Sequence, residues 1–192
     1  MGSIDTSPFW PMQDGINEVI ATTMVNAAPM GIICRENRLM MSIFRTSHTA
    51  LHIENQGIIV ANIIHDPVLF VQTAFSDLPS DAFIYEHVGD QEVCRLADAQ
   101  SYVIYRTDIV QKTEHKILVS LTPEKTQLAH TLLIPINRGL SSIIEATVHG
   151  TRYIINRDPD LLRLIDHHAD LAMRCGGERE RTALRLLRTF IT

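Results

Sequence analysis

The sequence lacks the features of secreted and membrane proteins. None of its apolar stretches approaches the roughly 20 residues that a transmembrane helix needs. Its N-terminus has no basic segment followed by an apolar run, which a secretory signal would require. Only three cysteines occur, Cys34, Cys94 and Cys175, and none belongs to a CxxC motif. We therefore expect a soluble, cytoplasmic protein with reduced thiols.

Positive charge and nucleotide-binding motifs are also missing. The 192 residues include 17 lysines and arginines against 22 aspartates and glutamates, a formal net charge of −5. Nucleic-acid binding and anionic membrane surfaces both require a basic face, so we expect neither as a partner. The sequence contains no GxGxxG and no GxxxxGK[ST] motif, which argues against a dinucleotide-binding fold and a P-loop.

Strand-length apolar runs rich in β-branched residues dominate the first third of the chain. Turn-type residues separate them closely, which predicts an antiparallel meander and a barrel rather than βαβ units. The four runs are Glu18–Met24, Ala28–Cys34, Arg38–Phe44 and Gly57–Ile64. Further strands are predicted at Ala82–His87, Ser101–Thr107 and Lys116–Leu121, with another apolar run at Leu128–Ile134.

Helix-start signals mark the remaining segments. Asp66-Pro67 and Asp158-Pro159 each place a capping aspartate before a proline at the first helical position. They predict one helix over residues 68–75 and another that ends before residues 176–177. Asn137 can cap a helix over Arg138–His149 that Gly150 would end, and a final helix is predicted over Glu178–Phe190. The sequence therefore predicts a barrel followed by a helical layer.

A polar loop, Arg45-Thr46-Ser47-His48-Thr49, lies between two predicted strands. A dianionic phosphate needs several donors and a positive charge, which hydroxyls and a guanidinium supply. If Thr49 opens a helical turn, the backbone N–H groups and the helix dipole would add to the same site. A helix cap beside a surface arginine explains the same residues, so the loop alone leaves both interpretations open.

Three motifs occur in a characteristic order: Asn26–Gly31 (NAAPMG), Arg45–Thr49 and Gly57–Asn62. Together they resemble the FMN-binding split-barrel family, in its flavin reductase-like branch. The segment Asn137–Arg152 narrows the resemblance to a domain-of-unknown-function branch of that family. This branch is found in methanogens and in bacteria with tetrahydromethanopterin-linked one-carbon genes. The resemblance extends over residues 17–190.

The resemblance implies an α+β fold with a split β-barrel FMN-binding domain over residues 1–135 and a helical C-terminal region over residues 136–192, packed on the barrel. It also implies a homodimer with FMN at the interface of two protomers. The loop would bind the FMN phosphate, and the strand after residue 25 would approach the flavin ring. The implied cofactor-binding residues are Asn26, Pro29, Gly31, Arg45, Thr46, Ser47, His48, Thr49 and Asn62. His48 would either donate to the phosphate or point to solvent.

Two functions agree with these features. One is a flavin-dependent oxidoreductase acting on a small redox partner, linked by the resemblance to tetrahydromethanopterin one-carbon metabolism. The other is a non-catalytic protein that stores or senses FMN. Both need the same phosphate loop, and no acid or base in the sequence can be assigned a catalytic role.

The nine histidines raise the question of a metal site. His167 and His168 are adjacent within a predicted helix and point in different directions, so they cannot easily share a metal. No carboxylate or cysteine completes a ligand set at suitable sequence spacing, and we expect no metal. Glu145 and His149 lie one helical turn apart. We interpret them as an anchor between the helical layer and the barrel, with a substrate-facing cluster near the flavin as the alternative.

Overall fold

The computed structural model describes residues 11–13, 15–99, 101–129 and 137–192. The chain divides into two compact units. The barrel unit comprises Met1–Ile64 and Pro79–Ala129, and the helical unit comprises His65–Leu78 and His130–Thr192. Among the described residues, no helix is both long and apolar enough to span a bilayer.

Eight antiparallel strands and one α-helix form the described part of the barrel unit, together with a short 3-10 turn at Ser80–Ala82. Six strands close a barrel in the order β1-β2-β3-β8-β7-β4, and β5 and β6 form a separate hairpin. This confirms the predicted antiparallel barrel. The elements are β1 (Gly15–Thr23), β2 (Asn26–Arg35), β3 (Arg38–Phe44), α1 (His48–Gln56), β4 (Ile58–Ile63), β5 (Phe83–Val88), β6 (Gln91–Leu96), β7 (Ser101–Lys112) and β8 (Lys116–Gln127).

Side-chain alternation along the strands fills the barrel interior. In β3, Leu39, Met41 and Ile43 are buried, while the residues between them are half-buried or exposed. This is the period of two that a strand with one buried face requires. Ala50 and Ile53 of α1 join the same apolar core. Leu39, Met41 and Ile43 therefore face the barrel interior.

The β5–β6 hairpin covers the outer face of part of the barrel wall. Val93 of β6 packs with Ile58 and Val60 of β4 in an apolar cluster that also contains two β7 residues, Tyr102 and Ile104. β6 was not predicted, because its sequence QEVCRL intersperses polar residues among few apolar ones. Its strand conformation comes from pairing with β5 along its whole length.

Glu86 of β5 connects the hairpin to the barrel. Its carboxylate accepts hydrogen bonds from Arg95 Nε at 2.8 Å, Tyr102 Oη at 2.6 Å and Lys125 Nζ at 2.6 Å. Burial alone would raise the pKa of this carboxyl group, but the three donors outweigh burial and lower the pKa to about 2. The ionised Glu86 therefore joins β5 to β6, β7 and β8.

Four helices make up the described part of the helical unit. They are α2 (Pro67–Phe75), α3 (Arg138–Asn156), α4 (Pro159–Cys175) and α5 (Glu178–Ile191). The predicted caps are present: Asp66, Asn137 and Asp158 each accept a hydrogen bond from a backbone N–H of the first helical turn. Apolar faces of all four helices form one core.

α2 packs with the C-terminal helices, although it lies within the predicted barrel domain over residues 1–135. The predicted domain boundary at residue 135 stays a prediction, because residues 130–136 lie outside the described part of the chain. Most of the predicted apolar run Leu128–Ile134 is also outside it; Leu128 and Ala129 are not in a strand.

The predicted end of α3 at Gly150 is wrong. The helix continues through Gly150 to Asn156, and Arg157 caps it with a left-handed φ of 54°. Gly150 is buried, and a Cβ there would lie 3.0 Å from Leu187 Cδ1 and 3.3 Å from Phe75 Cζ. This glycine permits close packing of neighbouring helices instead of ending one.

Candidate functional site

The polar loop links β3 to α1, and its residues start the helix. Ser47 is the N-cap: its hydroxyl donates to Phe44 O at 2.8 Å and accepts from Ala50 N at 3.2 Å. The helix begins at His48 and ends before Gly57, whose φ of 65° allows its N–H to bond to Ile53 O. Both sequence interpretations of the loop are thus compatible, because the cap also exposes a helix N-terminus.

The start of α1 has the properties of an anion site. The first N–H groups of a helix have no intrahelical acceptor, and the helix dipole favours negative charge there. Ser47 accepts from the N–H of Ala50, whereas the N–H groups of His48 and Thr49 have no acceptor among the described residues and can donate to a ligand. Arg45 is exposed beside them, with one guanidinium nitrogen bonded to Thr113 O at 3.2 Å. Its other N–H donors can reach a ligand.

Thr49 and Asn26 join the loop to β2. Thr49 is buried, and its hydroxyl oxygen accepts a hydrogen bond from Asn26 Nδ2 at 3.1 Å. The hydroxyl proton of Thr49 is still available to a second acceptor. His52, one turn further along α1, contacts Thr23 of β1, with 3.1 Å from its Nδ1 to both the hydroxyl and the carbonyl oxygen. The structure thus brings together Asn26 of the predicted ring-binding strand and Thr49 of the predicted phosphate loop.

Pro29 and Gly31 lie on the opposite face of β2 from Asn26. Side chains alternate along a strand, and the register pairs Pro29 with Ile20 and Gly31 with Glu18 of β1. A Cβ at Gly31 would lie 2.9 Å from Ile16 Cγ2, so a larger residue would require a shift. The predicted ring-facing residues therefore divide between two faces of one strand.

Asn62 forms hydrogen bonds inside the barrel unit. The side chain is fully buried. Its Nδ2 donates to Ile20 O at 2.8 Å and to Thr22 Oγ1 at 3.1 Å, and its Oδ1 accepts from Leu96 N at 2.8 Å. Both amide hydrogens and the amide oxygen thus bond within the protein. This geometry connects β1, β4 and β6, and the contact of Asn62 with FMN stays a prediction.

A cavity of about 430 Å³ opens between the β1–β2 turn, the C-terminal end of α1 and the β5–β6 hairpin. Exposed apolar side chains of Met24, Val25 and Tyr85 line it, together with Glu92 and Cys94. Burial, with the nearby Glu92, raises the pKa of the Cys94 thiol to about 11, so this cysteine stays protonated at neutral pH. The volume of the cavity is within the range typical of small-ligand sites.

A second polar cluster lies in the helical unit, where α3 packs against α4. Possible ligand atoms of Glu145, His149 and His168 all lie within 4.8 Å of one another. The rings of His149 and His168 stack with their centroids 5.6 Å apart. Burial lowers the pKa of His168; the charge of Glu145 acts in the opposite direction, and His149 and His167 add to the lowering. The sequence did not indicate that His168 lies close to Glu145 and His149.

Two family models match the chain. Residues 17–130 match the N-terminal domain of a protein of unknown function, DUF447, and residues 137–189 match a second DUF447 model. The chain belongs to the DUF447 family. The predicted resemblance to this branch of the FMN-binding split-barrel proteins is confirmed, as is the α+β fold of barrel and C-terminal helices.

One of the solved structures that resemble this chain agrees with this assignment. This DUF447 chain is similar to an FMN-bound DUF447 protein from Methanosarcina mazei, with 33% identity over 93% of this chain and 96% of the other, and a TM-score of 0.87. A flavin reductase domain protein from Arthrobacter shares 17% identity over 60% and 79% of the two chains, with a TM-score of 0.48. A flavoredoxin from Methanosarcina acetivorans shares 11% over 70% and 77%, also with a TM-score of 0.48. The last two similarities are too low to bear on function.

Proposed function

We propose that this DUF447 chain binds FMN and works as a flavin-dependent oxidoreductase with a small redox partner. The observation that carries FMN binding is the 33% identity, over nearly the whole chain, to a family member that was crystallised with FMN. The α1 N-terminus supports it, because free N–H groups, hydroxyls and a guanidinium there fit a phosphate monoester. FMN supplies hydride and single-electron transfer; the protein binds and orients it and sets its electrostatic surroundings.

The phosphate would lie at the loop of Arg45, Thr46, Ser47, His48 and Thr49. Arg45 supplies the positive charge. Ser47 acts through the helix start that it caps, since its hydroxyl already bonds to Phe44 O and to the N–H of Ala50. Thr49 can donate its hydroxyl proton to the phosphate while Asn26 donates to its oxygen. The exposed side chains of Thr46 and His48 are free to turn toward the ligand.

The flavin ring would lie along β2. Asn26 is held beside Thr49, so its side-chain oxygen can accept a hydrogen bond from a ring or ribityl group on the same side as the phosphate. Pro29 and Gly31 lie on the face of the strand that points away from Asn26, so in this arrangement only their backbone groups would approach the ring. Asn62 is left out of the proposed set, because its amide is fully engaged within the barrel unit.

We also propose that the protein is a cytoplasmic homodimer. A single loop and one strand would leave much of a flavin ring in water, and a second protomer would cover it. The barrel unit exposes large apolar side chains at Ile16, Phe44 and Val110, each around 60% accessible. Apolar surface of this kind is typical of interaction sites when it is contiguous. Light scattering should give twice the chain mass of 21.6 kDa; a monomer with bound FMN would contradict the proposal.

FMN binding is tested by titration. Purified protein should be yellow and release FMN, not FAD, on denaturation. Hydrogen bonds to a charged group contribute about 1.5–3 kcal/mol, which is roughly ten- to a hundredfold in affinity. Arg45→Ala should therefore weaken FMN binding by about that factor, and Arg181→Ala, on the half-buried α5 surface of the helical unit, should leave it unchanged. Equal affinity of Arg45→Ala and the parent would mean that the phosphate binds elsewhere.

Oxidoreductase activity is tested by stopped-flow reduction of the holoprotein. NAD(P)H or a reduced pterin should reduce the flavin with saturation kinetics. A storage or sensing protein would instead show slow, non-saturating reduction, with FMN exchange as its fastest event. If neither donor reduces bound flavin faster than free FMN, the storage function replaces the oxidoreductase.

A further inference from the structure

Two helices of the helical unit bring three metal-ligating side chains to one point. Glu145 and His149 are four residues apart on α3 and so share one face of that helix. His168 reaches the same place from α4. One ligand atom from each residue lies within 4.8 Å of the other two, a separation that a single ion can bridge.

Two nitrogens in this cluster lack hydrogen-bond partners. The Nδ1 atoms of His149 and His168 are buried, and neither has a partner among the described residues. Buried polar atoms nearly always have a partner, so an orphan in a native structure points to a missing water or ion. Two orphans on stacked rings, beside a carboxylate, are a second observation in addition to the short distances.

The chemistry of the three ligands selects the kind of ion. Imidazole suits zinc and other first-row transition metals, whereas calcium and magnesium prefer sets of oxygen ligands. Structural zinc sites have four protein ligands, while sites with three leave one position for water or a small ligand. Glu145 is exposed, so the cluster is open to solvent on its side.

We propose that Glu145, His149 and His168 bind one divalent first-row transition-metal ion, with the remaining coordination position open to water. The sequence indicated no metal because His168 is 19 positions beyond His149 and joins the set only through packing of α3 against α4. The site uses none of the residues proposed to hold FMN.

Calorimetric titration of Zn²⁺ into untagged, chelator-treated full-length protein tests the proposal. One ion should bind per chain, and Mg²⁺ at the same concentration should produce no binding heat. Loss of even an outer-sphere partner typically weakens metal binding 10- to 100-fold. Glu145→Gln, His149→Ala and His168→Ala should therefore each weaken Zn²⁺ binding at least about tenfold.

His167→Ala is the matched control, because His167 is adjacent to His168 but outside the cluster. Its affinity for Zn²⁺ should stay within about twofold of the parent. Because Glu145 is exposed, Glu145→Gln should leave the fold intact, which circular dichroism can check. A loss of Zn²⁺ binding in this variant therefore cannot be attributed to misfolding. Absence of stoichiometric binding, unchanged affinity in Glu145→Gln and His168→Ala, or an equal loss in His167→Ala would each overturn the proposed site. The FMN content of the same preparations reports on the flavin site separately.

Discussion

Two polar sites, Asn62 in the barrel unit and the pair His149 and His168 in the helical unit, differ in how their buried atoms are hydrogen-bonded. In the barrel unit, the amide of Asn62 on β4 is hydrogen-bonded to β1 and β6, and Thr22 donates to Cys94 O at 2.6 Å. In the helical unit, His149 and His168 each keep one buried nitrogen without a partner among the described residues. Thr107, whose buried hydroxyl also lacks a partner, is the exception in the barrel unit.

This difference separates structural from functional polar groups. A polar side chain whose donors and acceptors all bond within the protein holds elements together, because breaking one bond leaves a buried group unsatisfied. A buried nitrogen without a partner contributes nothing of that kind to the fold. It is therefore a place where a ligand can bind without displacing protein contacts.

Asn62→Ala should have the largest effect on stability. It removes the acceptor of Leu96 N and the donor to Ile20 O, and both backbone groups are buried. Each buried group left unsatisfied costs about 1–3 kcal/mol, so we expect the free energy of unfolding to fall by about 3 kcal/mol. Urea denaturation measures the free energy of unfolding. Asn55→Ala, at an exposed position on α1, is the control, and its free energy of unfolding should stay within about 0.5 kcal/mol of the parent value. A loss below about 1 kcal/mol would contradict the structural role.

Gly139→Ala tests the close packing of Gly139 against Gly176 in the helical unit. A Cβ at Gly139 would lie 2.5 Å from Gly176 Cα and 2.7 Å from Gly176 N, so it would clash with backbone that cannot turn away. Overpacking of this kind costs typically 1–3 kcal/mol, and we expect about 2 kcal/mol by thermal or urea unfolding. The exposed Ser141→Ala in the same helix is the control. A neutral Gly139→Ala would mean that the start of α3 and the end of α4 are less closely packed.

The sequence predicted the fold well wherever local pattern determined the structure. Alternation in β3 and the aspartate-proline starts of α2 and α4 are local signals, and the structure contains all three. The failures have tertiary causes. β6 depends on its pairing with β5, and the helix passes through Gly150 because Leu187 packs there.

The same distinction applies to the candidate sites. The polar loop was found because its five residues are contiguous in sequence. The 430 Å³ cavity and the cluster around His168 were missed because segments far apart in sequence build them. Asn62 was assigned to FMN from its place in a motif, and only its bonding in the folded chain shows that its amide is occupied.

Glu86→Gln should have an intermediate effect that depends on pH. The folded-state pKa of Glu86, about 2, is below its ordinary value of 4.5, so its ionisation stabilises the fold above pH 4.5. That contribution is lost as the pH falls through about 2. Glutamine keeps the shape and an acceptor for Tyr102 but loses the charge facing Arg95 and Lys125.

We expect Glu86→Gln to cost about 1.5 kcal/mol at pH 7, the low end for bonds to a charged group, because the carboxylate keeps some contact with solvent. The cost should shrink toward zero near pH 2, as measured by urea denaturation at a series of pH values. A cost that does not vary with pH would mean that charge is not what joins the hairpin to the barrel.

His168→Leu should have the smallest effect on the metal-free protein, and it tests the comparison most directly. Because the buried Nδ1 of His168 has no partner among the described residues, replacing the ring by an apolar side chain removes an unsatisfied group and no hydrogen bond at that atom. The free energy of unfolding should then change by no more than about 0.5 kcal/mol in chelator-treated protein. With Zn²⁺ present, the parent should gain stability because the ion binds only the folded chain, and the variant should gain much less. A large loss in the metal-free variant would show that His168 has a structural partner, which would remove the contrast between His168 and Asn62.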